Sequence, residues 1–336
     1  MAVQEQVNSV SADHPDAAAA RRFSRGAWLG IAVLLVLFVC PLFLKGFTVF
    51  QLNMMLIYAI AIMGLNLLTG FNGQFSLGHG AFYAIGAYTT AILMEHYGIG
   101  YLWTIPVAGL VCFVSGFLFG LPALRLESIY LALATFSLAI ATPQMLKLSV
   151  LEEWTGGVQG IVILKPDPPF GLPLSQDQWL YYLTLVIGLL LYWAARNLVA
   201  SRSGRAMMAI RDNPVAARSM GVNVSLYKAL AFGVSALFTG IAGALAAIVI
   251  QFVAPDSFTL VLSIALLVGL VVGGVGWLPG AIAGGAFIVF VPNIAEEVSK
   301  GLSGAMYGII LILLIYLMPS GAGGLIRTLA DRMKRR

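Results

Sequence analysis

Charged residues make up only 10% of this 336-residue sequence and hydrophobic residues 60%, against roughly 25% and 45–50% in soluble domains. A chain so poor in ionisable side chains cannot clothe a water-soluble surface, which excludes a soluble globular protein. Cysteine is almost absent. Cys40 and Cys112 both fall inside apolar runs, where they read as small buried hydrophobes with no disulfide or metal role. The three histidines, at positions 14, 79 and 96, cannot make the paired helical spacing of zinc hydrolases, so no metal is expected. A phosphate-binding loop needs Gly directly before Lys, whereas the six lysines follow Leu44, Leu146, Leu164, Tyr227, Ser299 and Met333. The chain therefore carries no such loop of its own. Its net charge of +5 comes without any basic tract interleaved with aromatics, so the basic residues mark cytoplasmic loops and no nucleic-acid contact is expected.

Between the few charged clusters run apolar stretches near or above the roughly 18 residues that indicate a membrane helix. Ten spans are expected: 27–44, 49–69, 77–96, 102–121, 128–148, 179–198, 227–250, 258–276, 279–297 and 302–318. The reading is thus an all-α polytopic membrane protein. The first 25 residues are polar and Ala-rich and end in Arg21, Arg22 and Arg25; they form an expected disordered cytoplasmic tail. The apolar run after them exceeds the roughly 7–15 residues of a secretory signal core and no small-residue cleavage pattern follows, so it reads as an uncleaved first helix.

With the N-terminus inside, fifteen of the nineteen Lys and Arg residues fall on the cytoplasmic side. Only Lys45, Lys147, Lys165 and Lys300 fall outside. This bias predicts that both termini are cytoplasmic. It places the Pro-rich segment 149–178 outside, as a loop long enough to meet an external partner, and segments 200–224 and 321–336 inside, around a transmembrane domain at 26–320. No ionisable residue lies near the centre of a span. His79, Glu95, His96, Lys147, Glu296 and Glu297 sit at or near span ends, where interfacial solvation accounts for them, and a proton-coupled pump is poorly supported.

Glycine is placed with helical spacing at Gly116 and Gly120, Gly269 and Gly273, Gly276, Gly280 and Gly284, and Gly304 and Gly308. Such stripes let helix backbones pack closely. A different cluster, Thr69 to Gly80 (TGFNGQFSLGHG), interleaves Gly70, Gly73, Gly78 and Gly80 with Asn72, Gln74, Ser76 and His79. Two readings stay open for it: a turn between spans two and three, or a broken-helix segment lining the pathway with Asn66, Asn72, Gln74, Ser76 and His79. GGAF at 284–287 is a weak internal echo of HGAF at 79–82.

The segment Ser201 to Val222 (SRSGRAMMAIRDNPVAARSMGV) is an Arg-rich polar island in this hydrocarbon chain. Ser203 offers an N-cap for a first short helix whose Ala206, Met207 and Ile210 share one side; Asn213 caps a second that starts at Pro214, and Gly221 stops it. The island reads either as a solvated loop on anionic lipid or as a surface for a cytoplasmic protein.

Three ordered stretches resemble one family. GRAMMAIRDNPVAARSMGVNVSLYKALAFGVSALFTGIAGAL (204–245) is similar to the cytoplasmic loop and following helix of LivM-type permeases of branched-chain amino acid ABC importers. GLNLLTGFNGQFSLGHGAFYAIGAY (64–88) resembles their early core segment, and YLALATFSLAIATPQMLKLSVLEEWTGGVQGI (130–161) resembles the stretch, notably Trp154 to Gly157, that separates LivM-type from LivH-type subunits. The likeness covers nearly the whole chain after about residue 50. It implies a type II importer-like fold of about ten transmembrane helices in a bacterial inner membrane. It also implies pairing with a LivH-type permease, LivG/LivF-type ATPases and a periplasmic amino-acid-binding protein. The chain itself is then a non-catalytic transport subunit with no cofactor, ATP and Mg being bound by the partner ATPases. Carried over by position, Arg205, Ala209, Arg211, Asp212, Asn213, Ala216, Ala217 and Gly221 belong to the loop that docks on the ATPase. Pro214 stands where relatives often carry a charge. Urea, amides or aromatic acids are alternative cargoes within the family, and an ATP-independent channel or carrier is the rival outside it.

Overall fold

A computed structural model describes residues 37–44, 46–123, 128–169, 173–298, 308–313, 316 and 321–324. The chain divides into two units, Met1–Lys45 and Gly46–Arg336. Within the first lies a short 3-10 turn, Cys40–Leu42. The expected tail 1–25 and most of the basic tail at 321–336 lie outside the described residues, as do most of the first and tenth expected spans.

The described residues of the second unit are mostly helical. Its long elements are α1 (Gly46–Asn66), which continues as a π-helical turn Leu67–Phe71, α2 (His79–Glu95), α3 (Tyr101–Ala123) and α4 (Ser128–Leu146). After the one-turn helix α5 (Glu152–Thr155) and strand β1 (Ile161–Val162) come α6 (Gln176–Ala200), α7 (Arg202–Asp212), α8 (Pro214–Ser219) and α9 (Val224–Ile250). Strand β2 (Phe252–Val253), a 3-10 turn Pro255–Phe258, α10 (Leu260–Gly273) and α11 (Gly280–Val298) follow. Among the described residues five helices are long and apolar enough to cross a membrane. α10 is shorter than the span expected at 258–276. Its 14 residues extend about 21 Å, against a hydrocarbon core of about 30 Å, because the Pro255 turn delays its start and Gly274, at φ +109, ends it.

Helices in lipid gain little hydrophobic drive by associating, so close backbone contact must hold them. α9 is the hub, packing on α3, α2 and α1. A Cβ on Gly240 would collide with the Cys112 side chain of α3, and one on Gly243 with the Tyr83 carbonyl of α2. Gly116 and Gly120 of α3 likewise meet Ala236 and Ala229 of α9. Leu68, Phe82, Cys112, Leu131 and Phe232 fill the space between, joined by Met207 of α7. α1 and α9 are buried along most of their length, whereas α3, α4 and α6 expose large apolar residues such as Trp103, Ile129, Leu190 and Trp193. Those outer faces suit lipid or a second membrane subunit.

At one end of the bundle β1 pairs antiparallel with β2, Ile161 opposite Val253, and Lys147 reaches Asp256 at 2.5 Å. Here the Trp-Thr-Gly-Gly motif acquires a physical role. Thr155 is buried, with its hydroxyl within reach of the Leu146 and Leu151 carbonyls, and Gly156 and Gly157 take φ of +69 and +54. Glycine adopts that conformation without strain. α7 packs on the π turn and on α9, and α8 on α7 and α9.

Candidate functional site

α7 begins with Ser201, whose Oγ accepts the Gly204 N–H at 3.3 Å. The sequence favoured Ser203 as the cap. α6 runs on to Ala200, so Ser201 is the residue with extended backbone between two helices, and the helix starts two residues sooner. Asn213 caps α8 as expected: its Oδ1 accepts the N–H groups of Val215 and Ala216, both at 3.0 Å, with Pro214 in the first turn. Gly221, at φ +83, closes α8 through Gly221 N–H to Arg218 C=O and Val222 N–H to Ala217 C=O, the paired bonds of a Schellman ending. Asn223 then caps α9 by accepting from Leu226 N–H at 3.1 Å.

The pair of helices is anchored inward and polar outward. Met207 enters the bundle core, and Ile210 packs with Ala217 and Val224. Of the residues carried over by resemblance, Arg205, Ala209, Arg211, Asp212, Asn213, Ala216 and Gly221 are exposed and Ala217 is buried. Arg205 donates to the Ala200 carbonyl at 3.1 Å. Two further residues stand out that sequence reasoning passed over: Val215 and Met220 are 74% and 85% exposed. Their signal was present as two apolar side chains in an otherwise polar, charged segment.

α7 is tied to the bundle at its C-terminal end. Arg211 Nη1 donates to the Gly70 carbonyl at 3.0 Å, while its Nε and Nη2 donate to Asp212 Oδ1 at 3.0 and 2.9 Å. Beneath Gly70, Asn66 uses both ends of its amide on the α10–α11 turn: Oδ1 accepts Gly276 N–H at 2.8 Å and Nδ2 donates to the Trp277 carbonyl at 3.1 Å. Gln74 Nε2 donates to the Lys228 carbonyl at 3.2 Å. Asn72 differs from its neighbours: it is 2% exposed and neither amide atom has a hydrogen-bond partner, at a cost of about 1–3 kcal/mol per group.

Residues 73–78 run without helix between the π turn and α2, packed among helices. Several of their polar groups are met by protein, as irregular backbone at membrane depth would require. Leu77 N–H donates to Thr135 Oγ1 at 3.0 Å and Gly80 N–H to Ser263 Oγ at 2.9 Å. His79 is 1% exposed, so interfacial solvation does not account for it; tertiary packing draws it into the bundle. Ser235 donates its one proton to the Gly64 carbonyl at 2.6 Å, so at 2.6 Å from the same oxygen His79 Nε2 must be the donor. Nδ1 is then free to accept from Ser76 Oγ at 3.1 Å. This non-helical stretch between the π turn and α2 fits a turn between spans as well as a broken helix. Asn66, Asn72, Gln74, Ser76 and His79 are all buried in this conformation.

Among the described residues no three His, Cys, Asp or Glu side chains gather into a metal site. The family model for the permease component of the branched-chain amino acid transport system matches residues 47–317. The chain is 32% identical over 316 positions to the high-affinity branched-chain amino acid transport system permease protein LivM of Salmonella typhimurium, covering 87% of this chain and 73% of that protein. The protein of the same name from Escherichia coli K12 is matched at the same identity and coverage. No solved structure matches significantly. With its polytopic helical bundle, the chain belongs to the family of branched-chain amino acid transport permease components.

Proposed function

We propose that this chain is a membrane-spanning permease subunit of an ATP-driven importer for branched-chain amino acids, working by alternating access. The observation that carries the reading is the α7–α8 unit, capped at each end, which holds exposed Val215 and Met220 among Arg205, Arg211, Asp212 and Arg218. An apolar pair rimmed by charge suits a protein partner better than a headgroup layer. The partners are LivG/LivF-type ATPases, which bind ATP and Mg; Arg205, Ala209, Arg211, Asp212, Asn213, Ala216, Ala217 and Gly221 build the docking loop. A LivH-type permease pairs with this chain in the bacterial inner membrane, and a periplasmic amino-acid-binding protein meets segment 149–178. Both termini are cytoplasmic. The broken segment with Asn66, Asn72, Gln74, Ser76 and His79 borders the pathway.

Purification by a tag on this chain tests the docking. Wild type is expected to bring the ATPases with it, and Val215→Glu with Met220→Glu to lose them while keeping the second permease. ATPases retained at wild-type stoichiometry by that variant would refute the α8 surface as their dock.

A further inference from the structure

α7 and the α10–α11 turn lie far apart in sequence, yet two side chains bridge them. Arg211 is held on one flank by Asp212, so its guanidinium presents Nη1 to Gly70 in a fixed direction. Four residues before Gly70, at the last residue of α1, Asn66 grips two backbone groups of the α10–α11 turn, Gly276 N–H and Trp277 C=O. The backbone is shaped for this. A Cβ on Gly70 would collide with Asn66 Oδ1 and lie 2.6 Å from Gly276 N, and one on Gly73, itself at φ +74, would lie 2.7 Å from Arg211 Cγ. Gly276 also takes a positive φ, +75. Three elements far apart in the chain therefore converge where no side chain could intervene.

We propose that Asn66 is a positioning residue which, with Arg211, links α7 mechanically to the α10–α11 turn, so that both follow the ATPases as one body. The linkage rests on the docking reading above and deepens it: a push on α8 reaches α10 and α11 through hydrogen bonds rather than through apolar packing that can slip.

The test uses the whole importer, purified on this chain, with Cys40→Ala and Cys112→Ala and spin labels at Arg202→Cys on α7 and Val275→Cys beside the turn, both exposed. In the otherwise wild-type complex the distance between the labels is expected to stay constant between nucleotide-free and ATP-vanadate states; a change beyond about 5 Å, one helical turn, would overturn the linkage. Asn66→Leu keeps the side-chain volume and removes both bonds. It is expected to retain the ATPases and to broaden the label distances in both nucleotide states. Label distances as narrow in Asn66→Leu as in the wild type would also overturn it. Should Asn66→Leu fail to assemble, the wild-type distances decide alone. Absence of ATPases from the wild-type complex refutes the docking reading instead, so the two failures are distinguishable.

Discussion

Replacing Asn213 separates two jobs that the residue could do in the docking loop, namely capping α8 and touching the partner. Its Oδ1 satisfies two N–H groups at the start of a helix only six residues long. So short a helix has little cooperative stability of its own. Loss of a side-chain cap costs about 1 kcal/mol, within a range of roughly 0.5–2, which is about fivefold in the ratio of capped to frayed α8. If the cap is what matters, transport follows cap strength. Asn213→Asp, as good a cap, is expected to retain leucine uptake near wild type; Asn213→Gly, costing a few tenths of a kcal/mol, is expected to lose little; Asn213→Ala is expected to lose about fivefold at limiting substrate. The assay is initial uptake of labelled leucine in cells that lack other leucine transporters. Asn213→Asp falling to the level of Asn213→Ala would refute the capping argument and assign the role to the amide as a contact.

Other outcomes follow from the same geometry. Ser235→Ala removes the acceptor of His79 Nε2–H and the donor to Gly64 C=O, and is expected to cost about 2–4 kcal/mol, read as a lowered thermal midpoint of the purified protein; an unchanged midpoint would refute the network. Asn72→Leu removes a buried, unpartnered amide and is expected to raise that midpoint while reducing transport, whereas a lowered midpoint would mean that the amide is satisfied by water. Gly240→Val drives a side chain into Cys112 and is expected to prevent assembly of the bundle, checked by monodispersity after extraction; a wild-type elution profile would contradict the close packing of α3 on α9.

The all-α polytopic class was legible because long apolar runs dictate helices whatever their partners. The caps at Asn213 and the stop at Gly221 were legible for a similar reason, each being decided within four residues. What was hidden is long-range. Nothing near His79 announces Ser235, 156 positions away, and nothing near Asn66 announces the Gly276 turn 210 positions on. Ser203 was favoured over Ser201 because the sequence does not reveal that α6 and α7 are separated by a single residue. α10 looked like a full span because hydropathy does not register the Pro255 turn that shortens it.

As proposed above, the α7–α8 loop converts ATP hydrolysis into movement of cargo. The most direct measurement is the number of ATP molecules hydrolysed per leucine taken up by the reconstituted importer with Arg211→Ala and Asp212→Ala. Continued hydrolysis with uptake abolished and the membrane subunits still assembled is expected; a wild-type ratio with uptake intact would refute the coupling role of the loop.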